Sequence, residues 1–348
     1  MKQIRIFIFA AIFVLCVLLL TAGCTEHAEK PSQAKVEPEK TVAVEIESEE
    51  KEPIVLALKL TPDDSTTYKV TTGADNSVIW ESADQEKPKG FTGGHTGRKI
   101  ETTFTQQIQS TDDKGNAVAK ITIRQLKYLV TVKNNITMDF DSSREEDRQN
   151  PLSKLIGQSY TIELTPSGRV SQLIDANDAR AAVKDGSVAG KIAANLLSLG
   201  AITERHTIPA LPASGKNQIP TGENWSIVKS FSFSMMGAKA YEKIYTLKEI
   251  KDAGNRRIAI AQMEAVPSAE YAKQMHKEQS AAFLANFSDN KETYTGQLKL
   301  DLSSGKVEEC RENLTTEWLI VDPNPKNSKE PAALKMTAVR SYSIEKID

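Results

Sequence analysis

The chain has 348 residues, with 44 Lys and Arg against 46 Asp and Glu, a formal net charge of −2, and only three cysteines, Cys16, Cys24 and Cys310. A balance this even offers no cationic surplus for neutralising phosphates, which excludes nucleic acid as a partner. Three cysteines are too few for a fold stapled by disulfides.

The first elements are a short basic start and an apolar run. Lys2 and Arg5 precede "IFIFAAIFVLCVLLL", the 15 residues from Ile6 to Leu20. That run suits a signal-peptide core and falls short of the roughly 20 residues that span a bilayer. It ends in Leu20-Thr21-Ala22-Gly23-Cys24, which resembles the bacterial lipoprotein signal. An ordinary secretory signal or an uncleaved anchor would share the run but not the order of that box. The resemblance implies that residues 1–23 are removed and that the Cys24 thiol receives a diacylglycerol, with acylation of the new amino terminus. It implies a protein held by its acyl chains, with the membrane as a partner through Cys24, because several chains hold where one binds only marginally. The resemblance further implies that a non-aspartate after the cysteine, here Thr25, favours sorting to an outer membrane, at its periplasmic face. With Cys16 removed and Cys24 occupied, Cys310 has no intramolecular partner and is expected to be a small buried apolar residue. Loss of Lys2 and Arg5 takes the formal charge from −2 to −4.

Residues 24–53, with mixed charges, three prolines and almost no large apolar side chain, are expected to be a disordered tether. Its flexible span would be about 30 Å. From residue 54 to 348 a single β-rich domain is expected, because the apolar period becomes two. "IVLALKL" puts Ile54, Leu56, Leu58 and Leu60 on one face, "YTIEL" does so with Tyr160, Ile162 and Leu164, and "QLKLDL" with Leu298, Leu300 and Leu302. In "AKITIRQLKYLVTV" the apolar phase jumps between Ile123 and Leu126, which predicts a bulge at Arg124-Gln125.

Two turn signals then repeat in order. "DDKGN" and "TPSGRV" in the first half are echoed by "DAGN" and "LSSGKV" in the second, with similar spacing between their glycines. A duplicated unit of hairpin, insert and hairpin is expected over about 98–173 and 237–310. The inserts read as short helices. "NPLSKLIG" supplies the first; the second is "PSAEYAKQMHKEQSAAFLANF", with Ser268 as cap and Tyr271, Met275, Phe283 and Phe287 on one stripe. "DANDARAAV" and "GKIAANLLSLG", the latter with Ile192, Leu196 and Leu199 at helical spacing, fall between the units. The expected fold is α+β, mainly antiparallel: a large curved sheet or open half-barrel under a few short helices.

The order "DKGN", "DFDSS", "NPLSKLIGQSYTIELTPSGRV", "PTGENW", "DAGN" and "LDLSSGKV" resembles the secreted bacterial family called domain of unknown function 6263. The family's turn Gly-Asp-x-Trp stands here as Gly222-Glu223-Asn224-Trp225. The resemblance spans most of 54–320, and it implies a fold and an extracytoplasmic address but no catalytic residue. The fold is also broadly similar to the open barrels of lipoprotein carriers, an analogy of architecture alone.

No catalytic constellation emerges, and neither a cofactor nor a metal site is expected. His27, His95, His206 and His276 are dispersed. "MDFDSSREED" places Asp139, Asp141 and Ser143 at alternate positions but lacks the glycine and glutamate of a calcium loop, so a solvated strand end is expected. "DGSVAGKI" fails as a phosphate loop at Asp185 and Ile192. "GFTGGHTGRK", glycine-rich beside a basic pair, could cradle an anion but lacks a strand-then-helix context and reads as a flexible β-loop; Trp80, Trp225 and Trp318 could line a sugar site but read as scattered core aromatics. The expected function is non-enzymatic binding of a hydrophobic or lipid ligand in the cell envelope. The alternative is a structural or protein-interaction lipoprotein with a solid core, whose partner is an envelope protein.

Overall fold

A computed structural model describes residues 52–81, 92–233, 237–268, 287–321 and 333–347. The signal, Cys24, the tether and most of the second predicted insert lie outside these residues. In chain order come β1 (Ile54–Val55), β2 (Ser65–Glu81), β3 (Gly94–Thr111), β4 (Ala117–Val132) and β5 (Asn135–Asp141). A 3-10 turn over Pro151–Leu155 leads to β6 (Ser159–Leu164), β7 (Val170–Asp175), α1 (Asn177–Ala182), α2 (Val188–Leu196) and α3 (Leu199–His206). Then follow β8 (Gln218–Ile219), β9 (Asn224–Ser232), β10 (Ala238–Ala253), β11 (Arg256–Pro267), β12 (Phe287–Asp301), β13 (Lys306–Val321) and β14 (Ala333–Lys346).

Twelve strands form one antiparallel sheet in the order β7-β6-β4-β3-β2-β14-β13-β12-β11-β10-β9, with β5 also on β4. The sheet is not closed. It consists of two meanders joined where β14 pairs with β2. The predicted bulge is present: Thr103 faces Gln125 while Phe104 faces Ile123, so Arg124 is skipped. The predicted turns at Gly115, Gly168, Gly254 and Gly305 all hold a glycine at positive φ, where other residues are strained. At Gly305 a Cβ would also lie 2.5 Å from the Lys59 backbone nitrogen.

Register distances show that the sheet curls. Seven strand steps separate β3 from β9 in the sheet order, about 34 Å if flat at roughly 4.8 Å per step, yet both line one cleft. Phe233, just past β9, meets Trp318 of β13 with ring centroids 5.2 Å apart, and the Arg340 guanidinium of β14 lies 5.2 Å from the Phe233 ring. The second meander therefore rolls back upon itself. Its concave face carries a buried aromatic row: Phe233, Tyr241, Tyr245, Tyr294 and Trp318.

Several expectations need correction. "IVLALKL" keeps its apolar phase, with Leu56 buried and Leu58 and Leu60 against the core, but only Ile54–Val55 pairs as a strand, with β8. Beyond it the backbone bonds Asn217, Pro166 and Gly305 in turn. An extended chain crossing loop ends has no neighbouring strand edge to ladder with. Leu199 is not on the stripe of α2. Ser198 accepts a hydrogen bond from the Ala201 amide and starts α3, leaving Leu199 exposed at its first turn. "NPLSKLIG" forms a 3-10 turn, capped by the Asn150 side-chain oxygen Oδ1 accepting from the Leu152 amide. Phe287 begins β12 and so is strand, not helix. The glycine-rich segment, where described, is strand too: Gly94 to Lys99 belong to β3 and pair with β2 through Val78 to Gly73.

The two predicted halves share a strand order, β3-β4-β6-β7 and β10-β11-β12-β13. Any two consecutive hairpins of a meander give that order, and the strands differ in length: β6 and β7 have 6 residues each, β12 and β13 have 15 and 16. The topology alone does not make them copies.

Candidate functional site: a mixed-polarity cleft on the concave face

The helices sit on the first meander's concave side, α1 against β6 and α3 against β7. The first turn of α2 is capped by Ser187, whose hydroxyl accepts from the Gly190 amide. Under α3 the core is close-packed. His206 lies edge-on to Phe104 with centroids 4.4 Å apart, and its Nε2 is 2.5 Å from the Tyr160 hydroxyl. Arg205 donates to that hydroxyl at 2.9 Å and to the Leu196 carbonyl at 2.8 Å. Burial, and then the Arg205 charge, hold the His206 imidazole well below its ordinary pKa, so it is neutral at pH 7. Its Nδ1 is buried without a hydrogen-bond partner among the described residues.

Between α3 and the curled second meander the packing opens into a cleft of about 670 Å³, within the roughly 300–1,000 Å³ range of small-molecule sites. Its apolar surface comes from Phe231, Tyr294 and Tyr342, and its cations are Arg98, Lys229 and Arg340. Arg340 is occupied by the Asp75 and Val339 carbonyls and the Asn76 side chain. Arg98 and Lys229 have no carboxylate partner among the described residues, though the Lys229 ammonium lies over the Phe231 ring at 5.8 Å.

One wall is a buried polar network. Lys243 Nζ donates to Glu312 Oε1 at 2.7 Å and to the Pro209 carbonyl at 2.9 Å. Tyr245 donates to the same carboxylate oxygen, and Tyr294 donates to Oε2 at 2.5 Å. Burial draws the Lys243 ammonium below its usual pKa while Glu312 pulls it back up. Burial first, and then the Glu312 charge, push both tyrosine hydroxyls far up, so they remain protonated donors. A carboxylate with three donors is satisfied, which is the condition for tolerating a buried ion pair. Nearby, Lys239 pairs with Glu292, and Trp225 stacks on Tyr245 with its indole N–H bonded to the Ala210 carbonyl at 2.9 Å.

Of the motifs singled out in the sequence, "GFTGGHTGRK" reaches this cleft through Arg98, and among the described residues the histidines, the 139–143 run, the tryptophans and Cys310 do not line it. His95 bonds Asp75 at 2.8 Å. Asp141 closes a local turn, accepting from the Ser143 amide and hydroxyl, which hold its carboxyl down to about 2, with a contribution from Lys127. Trp225 and Trp318 are buried in separate aromatic contacts, and Cys310 is a free, buried thiol raised by burial. Lys243 and Glu312 escaped the sequence reading, but a signal was there. In "KAYEKIYTL" and "CRENLTTEW" a charge occupies the apolar phase of a strand, alongside Tyr241 and Tyr245 in one case and Cys310 and Leu314 in the other.

Fold and cleft together define a class: an open, curled antiparallel sheet with short helices over one meander and a cleft of mixed polarity on its concave side. The chain matches no protein-family description and no curated protein sequence. Among solved structures it is similar to lipovitellin, described for its lipid–protein interactions, at a TM-score of 0.40 and 10% identity, over 83% of this chain and 25% of that one. The chain thus spans a quarter of lipovitellin's length. It is also similar to DynF from dynemicin biosynthesis in Micromonospora chersina (TM-score 0.19, 6% identity, 84% of this chain and 86% of that). A third likeness is to the outer membrane protein OprG from Pseudomonas aeruginosa (0.12, 8%, 81% and 96%). Likenesses this weak carry no functional conclusion.

Proposed function

We propose that the protein is a lipid-anchored, extracytoplasmic binding protein of the domain of unknown function 6263 type, which takes a hydrophobic or lipid ligand into the concave cleft without catalysing a reaction. The cleft carries this reading: a space of about 670 Å³ bordered by Phe231, Tyr294 and Tyr342 presents aromatic surface beside polar groups, as small-molecule sites do. The anchor is Cys24, and the tether over 24–53 holds the folded part clear of the periplasmic face of the outer membrane. The duplication of 98–173 and 237–310 belongs to the same proposal, supported by the recurring hairpin turns at Gly115, Gly168, Gly254 and Gly305.

Two measurements test it. Titration of the delipidated protein with a fluorescent fatty acid should saturate at one equivalent, and native mass spectrometry of protein taken from membranes should find a bound small molecule. A protein that ignores the probe and carries nothing favours the solid-core alternative, for which cross-linking should capture an envelope protein. Labelling with radioactive palmitate should be lost in Cys24→Ser; retention of label would refute the anchor.

A further inference from the structure

A second, smaller pocket of about 130 Å³ adjoins the cleft, and Thr72, Arg98 and Glu204 line both. Its inner end is Arg205, only 6% exposed. A guanidinium is permanently charged and has five N–H donors. Arg205 uses two of its nitrogens on the neutral Tyr160 hydroxyl and Leu196 carbonyl and has no carboxylate partner among the described residues. Burying an unpaired cation is costly, and here the one carboxylate in the pocket wall, Glu204, is exposed and makes no ion pair among the described residues. Around the joined space stand Arg98, Lys229, Arg340, Arg205 and the buried Lys243, against Glu204 and Glu312. The smaller pocket is thus lined by two arginines, Arg98 and Arg205, against one carboxylate, Glu204, while Phe231, Tyr294 and Tyr342 line the larger cleft.

We infer that the ligand is an anionic amphiphile, whose carboxylate or phosphate enters the pocket between Arg98 and Arg205 while its chain lies along Phe231, Tyr294 and Tyr342. This rests on the cleft being a ligand site and adds the polarity and direction of the ligand. Arg98 is exposed at the mouth and makes no ion pair among the described residues, so it receives the anion first; Arg205 is preorganised by its two hydrogen bonds to complete a planar fork.

The test uses the mature chain with 11-(dansylamino)undecanoic acid and its methyl ester, which differ only in the charge of the head. The acid should bind at least about tenfold tighter than the ester, with the preference shrinking as salt rises. Arg98→Gln should cut the preference severalfold, because Arg205 alone then remains to hold the anion; Arg98 is exposed, and an unchanged melting curve verifies that the variant keeps its fold. Equal binding of acid and ester to the natural protein, or a preference undiminished in Arg98→Gln, overturns this inference and leaves the cleft a neutral-ligand site. Binding of neither probe overturns the cleft reading and this one together. Competition by oleate against lysophosphatidate distinguishes a carboxylate from a phosphate head, either of which supports the inference. Displacement by inorganic phosphate alone would make the pocket a free-anion site and refute the amphiphile.

Discussion

Lys243→Met is the most informative perturbation of the interior. It removes the ammonium that sits 2.7 Å from Glu312 Oε1 in a site where Lys243 is 1% and Glu312 7% exposed. The carboxylate then stays buried with only the Tyr245 and Tyr294 hydroxyls, and breaking a buried pair on one side costs about 3–5 kcal/mol. For a domain of this size that lowers the melting temperature by roughly 6–20 °C. Changing Glu312 to Gln should then act differently in two backgrounds. Alone it strands Lys243 and destabilises; added to Lys243→Met it removes the orphaned charge while keeping an acceptor for the tyrosines, and stabilises by about 2 kcal/mol. A double-mutant cycle by urea denaturation, with melting curves alongside, reads that coupling. The exposed pair Lys69–Glu345, at 3.0 Å with side chains 35% and 53% accessible, is the control, and Lys69→Met should cost under about 1 kcal/mol. If the Glu312→Gln effect is the same in both backgrounds, the network contributes no coupling and the reasoning fails.

Acid should weaken the fold through His206. Its folded pKa lies below the ordinary 6.5, so the unfolded chain takes up the proton first; the stabilisation is whole above pH 6.5 and is lost as pH falls from there toward the folded value. His206→Gln should flatten stability against pH between 6.5 and 5, and an unchanged slope would assign the acid sensitivity elsewhere. Gly305→Ala combines a φ of +65° with a Cβ 2.5 Å from the Lys59 nitrogen, and should cost about 1–3 kcal/mol in chemical denaturation; a neutral effect would show that the 54–60 segment moves freely. Cys310 is buried and raised in pKa chiefly by burial, so its thiol should resist an aromatic disulfide reagent in the native protein and react only at the unfolding rate. Fast native labelling would contradict that packing.

Local chemistry was legible in the sequence, and long-range geometry was not. Tyr160, Ile162 and Leu164 alternate inward as their spacing says, the bulge falls at Arg124, and the turn glycines hold positive φ. Each depends on neighbours within one hairpin. The extended start from Ile54 has the right phase, yet forms little strand, because what lies beside it comes from residues 166, 217 and 305. The cleft was invisible for the same reason. Arg98, Arg205, Lys229 and Tyr342 share no local pattern and meet only because the sheet curls. The apolar phase marked which side was inward, but not that Lys243 and Glu312 would face each other across strands β10 and β13.

The seam between β2 and β14 sets an order of events for the growing polypeptide. Asp75 and Val339 are partners there, 264 positions apart, so loop closure must be nearly complete before these edges can meet. Until residues 333–346 have emerged, β2 and β13 each present a bare ladder of amides and carbonyls, the surface on which other chains pair. A nascent chain of this topology therefore passes through a stage as two sticky half-sheets. Whether it reaches the seam before a neighbouring molecule does is decided by how soon the last strand, Ala333–Lys346, follows.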